Sequence, residues 1–313
     1  MFEILFKFFA GSIILIASAQ FLIHYAKKIS FALKISPLVI ALTIVAIGTS
    51  LPELSFSLTA LYKHDVGLAM GNIVGSNVAN ILFVFAIGIL IGKLRVGTSK
   101  TQRSSFFLLL ATVLFVVFQL TSIPAKISGI ILLAFAALIT FTEYFMGVSG
   151  RSHEDKKMFA KKPKIKIGPS IFVVPLFLII GVITGSLMAV SAIEDFSILT
   201  KISTTVIGLS LTAIVTSLPE LLTTIFSQEE HQAKLTMGNI MGSNIYNLLL
   251  IGGFVNLLYG KNGIAIKDWI VMLATTAFFL FIVKKYSGKN IPRKYGLILL
   301  MFFFFYLVNL GFS

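Results

Sequence analysis

Glu53 and Glu220 each sit inside an otherwise uncharged apolar stretch, the first in VIALTIVAIGTSLPEL and the second in VIGLSLTAIVTSLPEL. If these stretches cross a bilayer, each ionised carboxylate at mid-depth costs about 2.5–3.5 kcal/mol, so both need compensation. No lysine or arginine lies at matching depth. What lies nearby is oxygen: Thr49 and Ser50, and equally Thr216 and Ser217, put hydroxyls within a helical turn of each glutamate. Pro52 and Pro219 add more, because a proline inside a helix has no N–H to give and frees the carbonyl four residues earlier, here at Gly48 and Val215. Hard cations bind oxygen, and bound cations are the account of the pair that we favour. Two protonated glutamates bonding helix to helix are the alternative.

A companion stretch follows each glutamate, MGNIVGSNVANIL and MGNIMGSNIYNLL. Ser76 and Asn80 are four residues apart, as are Ser243 and Asn247, so each pair shares a helix face and can offer two oxygens to one place. Asparagines also bond helices together, and coordination is the expected role for Asn80 and Asn247. Gly71 and Gly75, with Gly238 and Gly242, form small-xxx-small patterns expected to serve close helix packing. Two carboxylates with hydroxyl, amide and carbonyl oxygens suit the 6–8 ligands of calcium better than magnesium, which keeps its waters. Transition metals would call for His or Cys, and no His lies mid-span; His64 and His231 fall just past spans, where an interfacial or solvated role is expected.

The elements that must position these residues follow from composition. With 57% hydrophobic and 12% charged residues over 313 positions, and a mean hydropathy of +0.97, the chain has too little polar surface for a soluble globule. Its apolar runs are long enough for helices crossing about 30 Å of hydrocarbon, and too long for barrel strands. Ten spans are expected, at 3–24, 36–61, 67–92, 104–122, 127–146, 170–193, 202–227, 234–259, 268–284 and 294–312. Residues 39–83 recur without a gap at 206–250, since 220 − 53 and 247 − 80 both equal 167. One structural unit is therefore used twice.

The formal charge of +14 is spread over short loops instead of forming a nucleic-acid stripe. Of the 26 basic residues, all but Lys7, Lys63, Lys126, Lys201, Lys261 and Lys267 fall on one side of the ten-span plan. The positive-inside rule then places both termini outside and the basic 147–169 loop in the cytoplasm. That loop separates an N-terminal repeat, 1–146, from a C-terminal one, 170–313, and each holds an odd number of spans. The repeats are thus expected to be inverted, giving an all-α membrane protein of two five-helix halves. Cysteine is absent, which excludes disulfides and thiolate sites. Ala17-Ser18-Ala19 resembles a signal-peptide cleavage site, but Glu3 in the leading region and the matching span that opens the second half argue against processing.

On the paired GTSLPEL and GNIxGSN stretches, the chain resembles the calcium/cation antiporter superfamily, and most closely its prokaryotic sodium/calcium exchangers. The resemblance implies ion sites among spans 2, 3, 7 and 8, with spans 1 and 6 sliding across them to alternate access. It implies that Glu53 and Glu220 bind calcium and share sodium, helped by Thr49, Ser50, Ser76, Thr216, Ser217 and Ser243, while the carbonyls of Ala46 and Ala213 match sodium positions. Several exchangers carry an aspartate where this chain has Asn247. The proton/calcium branch carries a further acid shortly after its GN dipeptide, where this chain has Ile-Val-Gly and Ile-Met-Gly.

The expected activity is sodium/calcium exchange by alternating access, extruding calcium across a plasma or inner membrane. Proton/calcium or potassium-dependent exchange is the alternative. The transported ions are the only ligands expected beyond the bilayer: no cofactor, nucleic acid or obligatory protein partner is implied. A channel would need a continuous polar path, which spans 4, 5, 9 and 10 do not offer. An enzyme would need a nucleophile beside the glutamates, and none lies at depth.

Overall fold

The computed structural model describes residues 1–32, 46–97, 99–149, 170–229, 233–260 and 264–311. Most of the expected 147–169 loop, the start of the expected span 36–61 and His231 lie outside them. The chain is helical: α1 (Phe2–Ala32), the single turn α2 (Ala46–Thr49), α3 (Leu51–Tyr62), α4 (Val66–Ile91), α5 (Ser99–Leu120) and α6 (Ala125–Ser149) come first. Then follow α7 (Ser170–Thr200), α8 (Thr204–Glu229), α9 (Ala233–Leu258), α10 (Ile266–Lys285) and α11 (Arg293–Gly311). Among the described residues eight helices, α4 to α11, contain stretches long and apolar enough to cross a membrane. Helices dominate because a lipid core offers no water to the backbone, so each N–H and C=O must be satisfied within its own segment.

Helix ends carry local signals. The Asp65 carboxylate accepts from the Leu68 N–H at 2.8 Å to start α4, and the Ser203 hydroxyl accepts from the Val206 N–H at 3.3 Å to start α8. In the centre lie α4 and α9, each 83% buried over its most apolar stretch, against 28–50% for the other six. Helix α3 packs on α4, α8 packs on both α4 and α9, and α2 packs on α9. The α4–α8 contact depends on small residues. A methyl group added at Gly75 would lie 2.6 Å from the Leu209 carbonyl oxygen and 2.7 Å from Ala213 Cβ, so the two backbones all but touch. This is the packing expected of Gly71 and Gly75.

Helices α1 and α7 run along one another, each 31 residues long. At 1.5 Å per residue that is about 46 Å, longer than the hydrocarbon is thick. The charged pairs Lys27-Lys28 and Glu194-Asp195 mark where the sequence suggests an end, yet both helices continue past them. At the α7 end the charges are matched: Lys63 pairs with Glu194, and Lys7 Nζ lies 3.5 Å from Asp195 and donates to Ser191 at 2.6 Å. Ser186 of α7 also shares a 2.7 Å hydrogen bond with Thr59 and donates to the Ser55 carbonyl of α3 at 3.1 Å.

Glu143, expected near the end of its span, is buried in α6 against α5, where Arg103 donates to it at 2.8 Å and Ser104 at 2.9 Å. His64 is exposed, in keeping with an interfacial residue, and lies edge-on to Tyr259.

Candidate cation-binding centre

The helix that carries each glutamate breaks just ahead of it. Ser50 (φ −83°, ψ 6°) and Ser217 (φ −81°, ψ 4°) leave helical geometry two residues before Pro52 and Pro219, as the missing proline N–H requires. A helix restarts after each break, and Glu53 and Glu220 fall in its first turn, where the free N–H groups and the helix dipole favour negative charge. A proline thus does two things at once: it opens the backbone and points a helix N-terminus at the site.

Each glutamate is then reached from the opposite half of the chain. Ser217 donates to Glu53 Oε1 at 3.4 Å, and Ser50 donates to Glu220 Oε1 at 3.5 Å. The threonines repeat the exchange one residue earlier. Thr49 lies 3.0 Å from Asn239 Oδ1 and 3.1 Å from the Ser243 hydroxyl; Thr216 lies 3.1 Å from Asn72 Oδ1 and 3.3 Å from the Ser76 hydroxyl. Every one of these contacts maps onto its counterpart when 167 is added or subtracted, so the two halves hold each other's ends in the same way.

Burial at the centre is complete. Glu53, Glu220, Ser76, Asn80, Ser243 and Asn247 have 0% exposure, and Thr49, Ser50, Thr216 and Ser217 are buried. Glu53 Oε2, Glu220 Oε2 and both side-chain polar atoms of Asn80 and Asn247 have no hydrogen-bond partner among the described residues. Leaving a buried polar atom unmet costs about 1–3 kcal/mol, and more for a charged one, so this cluster is suited to a ligand. The ion pairs made by described residues, Lys7–Asp195, Lys63–Glu194 and Arg103–Glu143, involve neither glutamate. No group of three or more His, Cys, Asp or Glu occurs among the described residues. The donor set is therefore two carboxylates amid neutral oxygens.

The backbone of α4 and α9 contributes as well. Asn80 N–H donates to the Ser76 carbonyl, which stacks the two residues on one face as their spacing predicts. From Asn80 to Phe85, and again from Asn247 to Ile251, the helix widens to a π turn. Such widening is common at functional sites because it re-aims side chains. The Asn80 segment packs on the part of α8 that restarts at Leu218 and carries Glu220, and the Asn247 segment packs on α3, which carries Glu53. A third π segment, Gly208–Thr212, lies in α8 just before Ala213. The Ala46 carbonyl accepts from Ser50 N–H and from the Thr49 hydroxyl, and the Ala213 carbonyl accepts from Ser217 N–H; each oxygen has a second lone pair, shared in the case of Ala46.

Two residues outside the expected ligand set join the cluster. Asn72 accepts from Thr216 and donates to the Glu53 carbonyl at 3.3 Å and to Ser57 at 3.1 Å, while Asn239 accepts from Thr49. Their signal in the sequence is the GN dipeptide, repeated in both halves. Here the halves differ: Asn239 Nδ2 and Thr224 Oγ1, the counterparts of Asn72 Nδ2 and Ser57 Oγ, have no partner among the described residues.

A family profile described as sodium/calcium exchanger protein matches residues 4–147 and 170–312. The putative antiporter CaxA of Alkalimonas amylolytica is 29% identical over 303 residues, covering 95% of each chain. The sodium/calcium exchanger MaX1 of Methanosarcina acetivorans is 28% identical, covering 96% of each. Among solved structures, the sodium-calcium exchanger NCX_Mj soaked with sodium and strontium superimposes with a TM-score of 0.71 at 25% identity, over 98% of both chains.

Proposed function

We propose, from the premise that this chain belongs to the sodium/calcium exchanger family, that it exchanges sodium for calcium at the centre formed by Glu53 and Glu220. The protein is an integral membrane protein and a cation antiporter by family, not an enzyme. The observation that carries the finer reading is the pair of buried carboxylates, each bound on one oxygen by a hydroxyl from the opposite half and left free on the other.

In this reading one calcium ion balances the two carboxylates, with Thr49, Ser50, Ser76, Asn80 and their counterparts Thr216, Ser217, Ser243 and Asn247 completing an oxygen shell. The carbonyls of Ala46 and Ala213 serve sodium. Sodium displaces calcium instead of accompanying it, because both compete for the same carboxylates. Three sodium ions in place of one calcium leave a net positive charge, which makes the cycle electrogenic.

Because the centre has no solvent exposure, ions reach it only when helices move. The long α1–α7 pair, joined to α3 through Ser186 and Glu194, is placed to uncover one side at a time. The alternation follows from ten spans arranged as two inverted halves, 1–146 and 170–313, with the basic 147–169 loop in the cytoplasm and both termini outside a plasma or inner membrane. Calcium leaves the cytoplasm as sodium enters, and the ions and the bilayer are the only partners this requires.

Sodium-gradient-driven uptake of radioactive calcium into proteoliposomes tests the reading. Glu53→Gln and Glu220→Gln should each abolish uptake while the purified protein remains monodisperse. Normal uptake in either variant would remove that residue from the site.

A further inference from the structure

The centre repeats its polar side chains in both halves, but the halves differ in what holds them. Tyr246, one residue before Asn247, is 4% exposed, and its hydroxyl lies 2.8 Å from that of Thr140 on α6. The Thr140 hydroxyl donates its proton to the Ala136 carbonyl at 2.7 Å, so Tyr246 is the donor between the two. This bond crosses from α9 to α6 where the π segment Asn247–Ile251 begins. Beyond the end of that segment Asn256 donates to Ser128 at 3.2 Å, and a methyl group added at Gly129 would lie 2.8 Å from the Gly253 carbonyl oxygen. The turn that carries Asn247 is thus tied to α6 on both sides by hydrogen bonds.

The first half keeps the helix contact and cannot make the bonds. A methyl group added at Gly296 of α11, 167 residues after Gly129, would lie 2.9 Å from the carbonyl oxygen of Ala86, 167 residues before Gly253. Helix α11 therefore backs the Asn80 segment as α6 backs the Asn247 segment. The counterparts of Tyr246 and Thr140, however, are Ala79 and Leu307, and those of Asn256 and Ser128 are Ile89 and Tyr295. Neither pair can form a hydrogen bond between its side chains. What meets there is aromatic: Phe83 stacks on Phe303 with ring centroids 5.3 Å apart. Apolar contact is non-directional, whereas a hydrogen bond fixes a distance and an angle.

We infer, on the reading that Asn247 is a ligand of the transported ions, that Tyr246 is a positioning residue: by donating to Thr140 it fixes the turn that aims Asn247 at the centre. Asn247 is then the rigid asparagine of the two and Asn80 the adaptable one. Neither polar atom of the Asn247 side chain has a hydrogen-bond partner among the described residues, so its aim depends on the turn that carries it. Calcium, which takes about 6–8 oxygens, depends on that aim more than sodium, which in the same reading also uses the Ala46 and Ala213 carbonyls.

Sodium-driven uptake of radioactive calcium into liposomes, with half-saturating calcium and sodium measured separately and a melting curve for each protein, tests it. Tyr246→Phe and Thr140→Val should each raise the half-saturating calcium concentration by about three- to tenfold, the worth of one neutral hydrogen bond. Half-saturating sodium should stay within about twofold. Thr140→Ser keeps the hydroxyl and should restore the wild-type calcium value. A bond that only supports the fold would lower the melting temperature and leave both half-saturation values where they were; that result would overturn the inference, as would a Thr140→Ser protein that behaves like Thr140→Val. If the unaltered protein takes up no calcium, the exchange reading falls and the positioning role with it. Normal uptake with an unmoved calcium value in Tyr246→Phe defeats the positioning role alone.

Discussion

Replacing Gly75 by alanine tests the link between helix packing and the cation centre. The added methyl group would lie 2.6 Å from the Leu209 carbonyl oxygen, whereas ordinary contact begins at 3.4 Å, so α4 and α8 must part by about 3.4 − 2.6 = 0.8 Å. No side-chain rotation relieves this, because Leu209 meets the methyl group with its backbone. The bonds that span the two helices are Thr216 to Asn72 at 3.1 Å and Thr216 to Ser76 at 3.3 Å. A displacement of that size along them carries both beyond hydrogen-bonding range. Overpacking costs about 1–3 kcal/mol, and each lost neutral hydrogen bond about 0.5–1.5 kcal/mol. Exchange should therefore fall by about tenfold or more, since 1.4 kcal/mol is a factor of ten. The assay is sodium-driven calcium uptake per monodisperse protein in liposomes, with a melting curve on the same sample. Gly88→Ala is the control: its methyl group meets side-chain methyls of Thr224 and Thr236, which can turn aside, so uptake should stay within about twofold. Wild-type exchange and wild-type melting in Gly75→Ala would refute the reasoning.

Three further outcomes follow from the same geometry. Asn247→Asp puts a third carboxylate into the buried centre; exchange should continue but fall more steeply as pH is lowered, since protonation removes a ligand, and an unchanged pH profile would argue against Asn247 as one. Glu143→Gln leaves Arg103 without its counter-charge; as the Arg103 side chain is 25% exposed, the cost should be about 1–2 kcal/mol, read as a lower melting temperature with ion selectivity unchanged. Glu194→Gln breaks the Lys63 pair that holds α7 to α3; a partly exposed pair is worth about 0–1 kcal/mol, so the exchange rate should change by less than about fivefold, by an amount that shrinks at high salt.

The centre was legible in the sequence because it is written twice. Glu53 and Glu220 stand out as charges in apolar stretches, and Pro52 and Pro219 mark where the helix must break, which is where Ser50 and Ser217 leave helical geometry. The Ser76–Asn80 spacing likewise gives their shared face. Other features depend on what distant helices bring. Nothing in NILFVF or NLLLI distinguishes a π turn from an α turn, and the widening at Asn80 and Asn247 appears only in the packed chain. Asn72 and Asn239 are visible as a repeated dipeptide, but their approach to Thr216 and Thr49 is a contact between halves. The burial of Glu143 was hidden for the same reason: Arg103 and Ser104 meet it from α5. Helix α7 outruns its expected end because Lys63 and Lys7 match the charges that would have stopped it.

The central claim, that sodium and calcium compete for one pair of carboxylates, is tested most directly by reversal-potential measurements on the purified protein in liposomes. The account predicts a current whose reversal follows the sodium and calcium gradients together, with more than two sodium ions per calcium, and does not move with pH or potassium gradients. A reversal that tracks pH or potassium, or one indifferent to the sodium gradient, would contradict it.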